Sequence, residues 1–185
     1  RKKIKPGERK SLLLKVGENF TGVGVYLPLM VWRGLEDGPV LGITAAVHGD
    51  ELNGIEIVRR VLYRMDPQNL AGTVIGVPIV NLQGFRRGSR YLPDRRDLNR
   101  FFPGTDYGSS ASRIANSLFN EIIVHCDALV DLHTGSFYRS NLPQLRADLT
   151  NPHVEELAHV ARPILCEQGV ARVGAGVRFG APCPL

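Results

Sequence analysis

What the sequence lacks narrows it first. It holds three cysteines in 185 residues, Cys126, Cys166 and Cys183, with no pair at C-x-x-C spacing. That excludes a disulfide-stapled scaffold and a cysteine zinc knuckle, and it points to a reducing cytoplasm. No apolar run approaches the ~20 residues that cross a bilayer, so no membrane partner is expected. There is no internal repeat and no low-complexity tract. The basic start, Arg1 to Lys10, has no apolar stretch of signal-peptide shape behind it and no initiator Met. It reads as an internal or trimmed start rather than a targeting segment.

What is present is ordinary for a soluble globular chain, with 43 % hydrophobic and 22 % charged residues. The length suits one domain over residues 1–185. Net charge is a modest +5, but six arginines crowd between Arg86 and Arg100.

Leu12–Val16 and Val23–Leu29 are short, apolar and turn-bounded, and read as strands. Gly38-Pro39 reads as a turn. Val40–Val47 is a nearly continuous apolar run, the pattern of a strand buried on both faces, and it ends at His48. The period then changes. Leu52, Ile55, Val58, Leu62 and Met65 recur at helical steps, so a helix is expected to open at Glu51 and to close at Asp66-Pro67. Gly72–Val80 predicts another buried strand, residues 81–111 a long loop, and Arg113–Val124 a helix. Asp127–Leu132 predicts a third buried strand ending at His133, and Asn151-Pro152 caps a last helix. This order argues for an α/β sandwich, in which ligand sites gather at the carboxyl ends of the strands. His48 and His133 both stand at such ends.

His48-Gly-Asp-Glu51 sets an imidazole and a carboxylate three residues apart. Catalytic zinc takes three such ligands and keeps a fourth position open, and His133 supplies the third. The residues alone leave a plainer alternative, in which His48 begins a turn and Glu51 sits at a helix amino terminus, favoured by the helix dipole. Asp131 is on the same strand face as His133. It reads either as a carboxylate orienting that histidine or as a polar strand-end residue. His125, His153 and His159 read as structural or surface residues.

In the arginine-rich loop, Asn99-Arg100 offers an amide beside a guanidinium fork, a pair suited to a carboxylate. Arg90 adds a cation suited to a carbonyl oxygen that gains charge on attack. The competing reading is a solvated basic loop. Nucleic-acid binding is set aside because Asp94 and Asp97 interleave with the arginines and no nucleic-acid-binding motif is present.

Taken together, His48-Gly-Asp-Glu51-Leu-Asn53-Gly54, Asp97-Leu-Asn99-Arg100-Phe-Phe-Pro-Gly104 and Asp131-Leu-His133-Thr-Gly135 resemble, in order and spacing, the succinylglutamate desuccinylase/aspartoacylase family of zinc carboxypeptidase-like hydrolases. The resemblance runs from about Gly38 to Arg146. It implies a three-layer sandwich built on a mixed, mostly parallel sheet flanked by helices. It also implies one Zn2+ held by His48, Glu51 and His133, a substrate carboxylate held by Asn99 and Arg100, and carbonyl polarisation by Arg90. The spacer between Arg90 and Arg100 is slightly longer than in aspartoacylase. Family members draw a general-base glutamate from a later strand, and the surroundings of Glu167 do not match that pattern. The base is therefore expected outside this chain, which reads as a fragment without the family's carboxyl-terminal β domain.

The implied activity is hydrolysis of the amide in a small anionic acylated substrate, an N-acyl amino acid or related amine. A zinc carboxypeptidase acting on peptides, and a non-catalytic zinc- or ligand-binding module, remain the alternatives.

Overall fold

The computed structural model describes residues 4–18, 21–139, 141, 144–165 and 170–175. Glu167, Cys166 and Cys183 lie outside them. Three strands open the chain, β1 (Arg9–Glu18), β2 (Gly24–Arg33) and β3 (Glu36–Ala45). Then come α1 (Asn53–Arg64), β4 (Ala71–Val77), α2 (Leu82–Arg86), α3 (Ser110–Glu121), β5 (Ala128–His133), β6 (Gln144–Arg146), α4 (Pro152–Leu165) and β7 (Val170–Ala175).

The strands form one mixed sheet in the order β1-β2-β4-β3-β5-β7-β6. Its centre, β4-β3-β5, is parallel. β1, β2 and β4 pair antiparallel on one flank. On the other, β7 runs antiparallel to β5 and parallel to β6.

Side chains of successive strand residues point to opposite faces, and each face has its own core. On one, Leu41, Ile43, Ala45, Val74 and Leu132 pack with Val58 and Leu62 of α1. On the other, Leu29, Val31, Val77 and Leu129 pack with Ile114, Ala115 and Leu118 of α3. Helices on both faces of a sheet make the three-layer sandwich. Gly54 lets α1 approach closely: a Cβ there would meet the Cβ atoms of Leu132 at 2.9 Å and Ala45 at 3.0 Å.

Several elements depart from the sequence reading. Gly38-Pro39 lies within β3, where the register with β4 shifts between Glu36 and Val40. A proline is tolerated in a strand at such an irregularity. α1 opens at Asn53, not at Glu51, and Leu52 is 54 % exposed, outside the buried stripe. The interval 81–111 is not a long loop. It contains α2, capped by Asn81 Oδ1 accepting Gly84 N–H at 2.8 Å, a 3-10 turn at Leu98–Arg100 and the first two residues of α3. α4 starts as expected, with Asn151 Oδ1 accepting His153 N–H at 3.0 Å. His125, His153 and His159 are exposed.

Leu62 is fully buried against the sheet. Leu62→Ala should lower the free energy of unfolding by about 3 kcal/mol, from lost burial plus a residual cavity. Chemical denaturation would measure this.

Candidate active site

The carboxyl ends of β3 and β5 lie side by side because these strands pair in parallel, with Thr44 opposite Asp131. β3 stops at Ala45 because Ala46 takes a left-handed conformation, φ +50°, which is uncommon for a residue with a Cβ. Two backbone bonds over-determine it: Val80 N–H donates to Ala45 O at 3.0 Å and Asn81 N–H to Ala46 O at 2.8 Å. The turn lifts His48 out of the sheet. Gly49 then passes so close to α2 that a Cβ would stand 2.2 Å from Gly84 C, so only glycine fits between His48 and Asp50.

His48, Glu51 and His133 meet there, all buried. One Glu51 oxygen lies 2.8 Å from His48 Nδ1 and the other 2.9 Å from His133 Nδ1. The latter also accepts the Thr134 N–H at 2.9 Å. Donor atoms of all three residues lie within 4.8 Å of one another. The outer ring nitrogens are also engaged. His48 Nε2 lies 3.0 Å from Asp97 Oδ1, and His133 Nε2 lies 2.6 Å from Asp131 Oδ2. Asp131 Oδ1 in turn accepts the Thr44 hydroxyl at 2.7 Å. With Nε2–H donated to a carboxylate, loss of the Nδ1 proton would leave each ring an inward lone pair for a cation.

The electrostatics follow from burial and pairing. Burial alone would raise the Glu51 pKa, but the hydrogen bonds from His133 and His48 outweigh it and hold Glu51 far below the ordinary carboxylate range. Burial also works against a charged His133, yet Asp131 and Glu51 on either side push it up to about 9. Asp97 is lowered: its partial burial is overcome by His48 and Arg90.

Arg90 reaches the same cluster. Its Nη1 donates to Ser136 Oγ at 2.8 Å and lies 3.4 Å from Glu51 Oε1, and its Nη2 donates to Asp97 Oδ2 at 3.0 Å. Asn99 is half-buried, and its N–H donates to Asp97 Oδ1 at 3.1 Å. The Arg100 side chain is 84 % exposed, with Nε 3.9 Å from Asp97. The structure thus clusters His48, Glu51, His133 and Arg90, with the Asn99 backbone and the outlying Arg100 side chain next to Asp97.

Ser136 and Asp50 were not anticipated. The Ser136 hydroxyl is buried between Asp50 at 3.1 Å and Glu51 at 2.7 Å. Its place three residues after His133 was the only cue.

Comparison with known proteins fits this geometry. A profile of the succinylglutamate desuccinylase/aspartoacylase catalytic domain matches residues 37–169. The chain belongs to this family. Its relatives include the N-alpha-acetyl-L-2,4-diaminobutyric acid deacetylase of Halomonas elongata, 35 % identical over 113 residues, 60 % of this chain and 32 % of that protein. Among solved structures, the succinylglutamate desuccinylase/aspartoacylase of Rhodobacter sphaeroides is similar at a TM-score of 0.71 and 25 % identity, over 91 % of this chain and 57 % of that one. The ectoine utilization protein EutE of Ruegeria pomeroyi, solved with product bound, is similar at a TM-score of 0.61 and 30 % identity, over 72 % of this chain and 44 % of that one. The chain therefore spans about a third of the deacetylase's length and about half of each structure's. The relatives named here are a deacetylase and succinylglutamate desuccinylase/aspartoacylase proteins.

Asp131 is buried and holds both Thr44 and His133. Asp131→Ala leaves two buried polar groups unpartnered and should destabilise the protein by about 3 kcal/mol. Arg100→Ala, at an exposed position, should change stability by less than about 0.5 kcal/mol. Urea unfolding of the two variants makes the contrast.

Proposed function

We propose that this chain carries the metal-binding and substrate-anchoring part of a zinc-dependent deacylase that hydrolyses the amide of a small N-acyl amino acid. The observation that carries this reading is the donor set: two imidazole nitrogens and a carboxylate converge from two strand ends, each ring backed by its own carboxylate. Two histidines and one glutamate match what catalytic zinc takes. Bound by His48, Glu51 and His133, zinc would supply Lewis acidity toward a carbonyl oxygen and lower the pKa of a water to about 7.

The chain's own residues do the rest. Asp97 and Asp131 fix the two rings. Arg90, held at both ends of its guanidinium, keeps a fixed positive charge at the mouth for a carbonyl oxygen that turns negative on attack. Asn99 and Arg100 take the substrate carboxylate, and the exposure of Arg100 leaves its fork free for a bidentate pair. Near the cluster, the carboxylates of Asp50, Asp97 and Asp131 are all held in hydrogen bonds. Among the described residues, none is assigned the proton transfer to the leaving amine.

Purified protein should contain about one zinc per chain, and His48→Ala should weaken zinc binding at least 100-fold. With its general base present, the protein should hydrolyse N-acyl amino acids in preference to dipeptides. Preference for dipeptides would favour a carboxypeptidase, and zinc without turnover of either a binding module. Absence of zinc, with His48→Ala as stable as the parent, would overturn the reading.

Metal binding should also be linked to pH. Without metal, His133 keeps its proton until about pH 9, against an ordinary value of 6.5, and coordination requires the neutral ring. Zinc uptake at pH 7 should release about one proton from His133, and affinity should rise about tenfold per pH unit until about pH 9 and then level. Calorimetry in buffers of different ionisation enthalpy measures the proton count. A count of zero at pH 7 would contradict the assignment.

A further inference from the structure

The segment after His133 holds a backbone that its sequence does not favour. Ser136 to Arg139 form a tight turn, closed by Arg139 N–H donating to Ser136 O at 3.3 Å. Its central residues, Phe137 and Tyr138, have φ of +60° and +57°. Two positive φ values belong to a type I′ turn, which selects glycine, asparagine or aspartate. Bulky rings there carry strain that the surroundings must overcome, and such strain clusters at ligand sites. The hold comes from Asp50, whose carboxylate accepts Phe137 N–H at 2.9 Å and the Ser136 hydroxyl at 3.1 Å.

This conformation places the Phe137 ring 6.2 Å from the Tyr91 ring. Both are open to solvent, at 53 % and 36 % exposure. Tyr91 follows Arg90 and Phe137 follows Ser136, and those two are bonded at 2.8 Å. The rings therefore span the two loops that border Glu51. Arg90 also gives the mouth a direction. One end of its guanidinium meets Asp97, beside Arg100, and the other meets Ser136, beside the rings. A substrate whose carboxylate sits at Asn99-Arg100 and whose amide sits at Arg90 extends its acyl group toward Tyr91 and Phe137.

We propose that Tyr91 and Phe137 form an apolar rim that receives the acyl chain, so that the preferred substrates are N-acyl amino acids with several methylenes in the acyl group rather than acetyl. Asp50 is the positioning residue of this rim. The proposal rests on the carboxylate anchor of the proposed function.

The test uses N-acetyl-, N-butanoyl- and N-hexanoyl-glutamate with the zinc-loaded protein. Affinity is read as KM where hydrolysis occurs and as a calorimetric Kd where it does not. Full burial of one methylene is worth up to about fourfold, so partial burial of the chain should tighten binding at least about fivefold from acetyl to hexanoyl. Phe137→Gly combined with Tyr91→Ala should flatten that gradient to within about twofold, with zinc content kept. Glycine suits the +60° φ, so Phe137→Gly should also raise the melting temperature, which separates loss of the ring from loss of the fold. Asp50→Ala should flatten the gradient with zinc retained, and Tyr138→Gly should leave it intact. A flat gradient in the parent protein, or one that survives in the double variant, would overturn the rim. Absence of hydrolysis across the series, with the binding gradient present, would overturn the deacylase reading and leave the rim standing.

Discussion

The structure turns on one carboxylate shared by two imidazoles. Glu51 is buried, and its two oxygens face His48 and His133 from separate strand ends. A buried carboxylate is tolerable only when paired and hydrogen-bonded. Here the pairing comes from residues 82 positions apart in the chain. Every other feature of the site supports that meeting. The parallel pairing of β3 with β5 brings the histidines together, the left-handed Ala46 turns His48 off the sheet, and Asp97 and Asp131 fix the ring orientations.

The same arrangement accounts for why charge accumulates here. Glu51, Asp97 and Asp131 lie around two rings, and Arg90 stands beside Glu51 and Asp97. A proton on His133 and a divalent cation are two ways to offset those carboxylates, and on the proposed reading they would compete for the same nitrogen. If the site takes a metal as proposed, metal affinity, proton affinity and local stability would be one coupled quantity.

Much of this was legible in the sequence, for identifiable reasons. Val40–Val47 and Asp127–Leu132 are largely apolar runs each followed at once by a histidine, so strand and site appear together. Asn151-Pro152 announces α4 because capping chemistry is local. What the sequence hid depends on contacts distant along the chain. Gly38-Pro39 looks like a turn until pairing with β4 places it at a register shift. Glu51 looks like a helix opener, but its carboxylate is held by His48, His133 and the Thr134 N–H, and the helix starts two residues later. β6 and β7 carry no strong local pattern; they pair with each other, and β7 with β5. Ser136 and Asp50 are unremarkable in sequence and matter only because a turn in one loop is tied to a carboxylate in another.

The central claim is that His48, Glu51 and His133 hold one zinc ion. X-ray absorption of the zinc-loaded protein tests it most directly. Two imidazole nitrogens at about 2.0–2.1 Å are expected, with the remaining ligands oxygen and no sulfur. A sulfur shell, or a spectrum unchanged in Glu51→Gln and in His133→Ala, would contradict it.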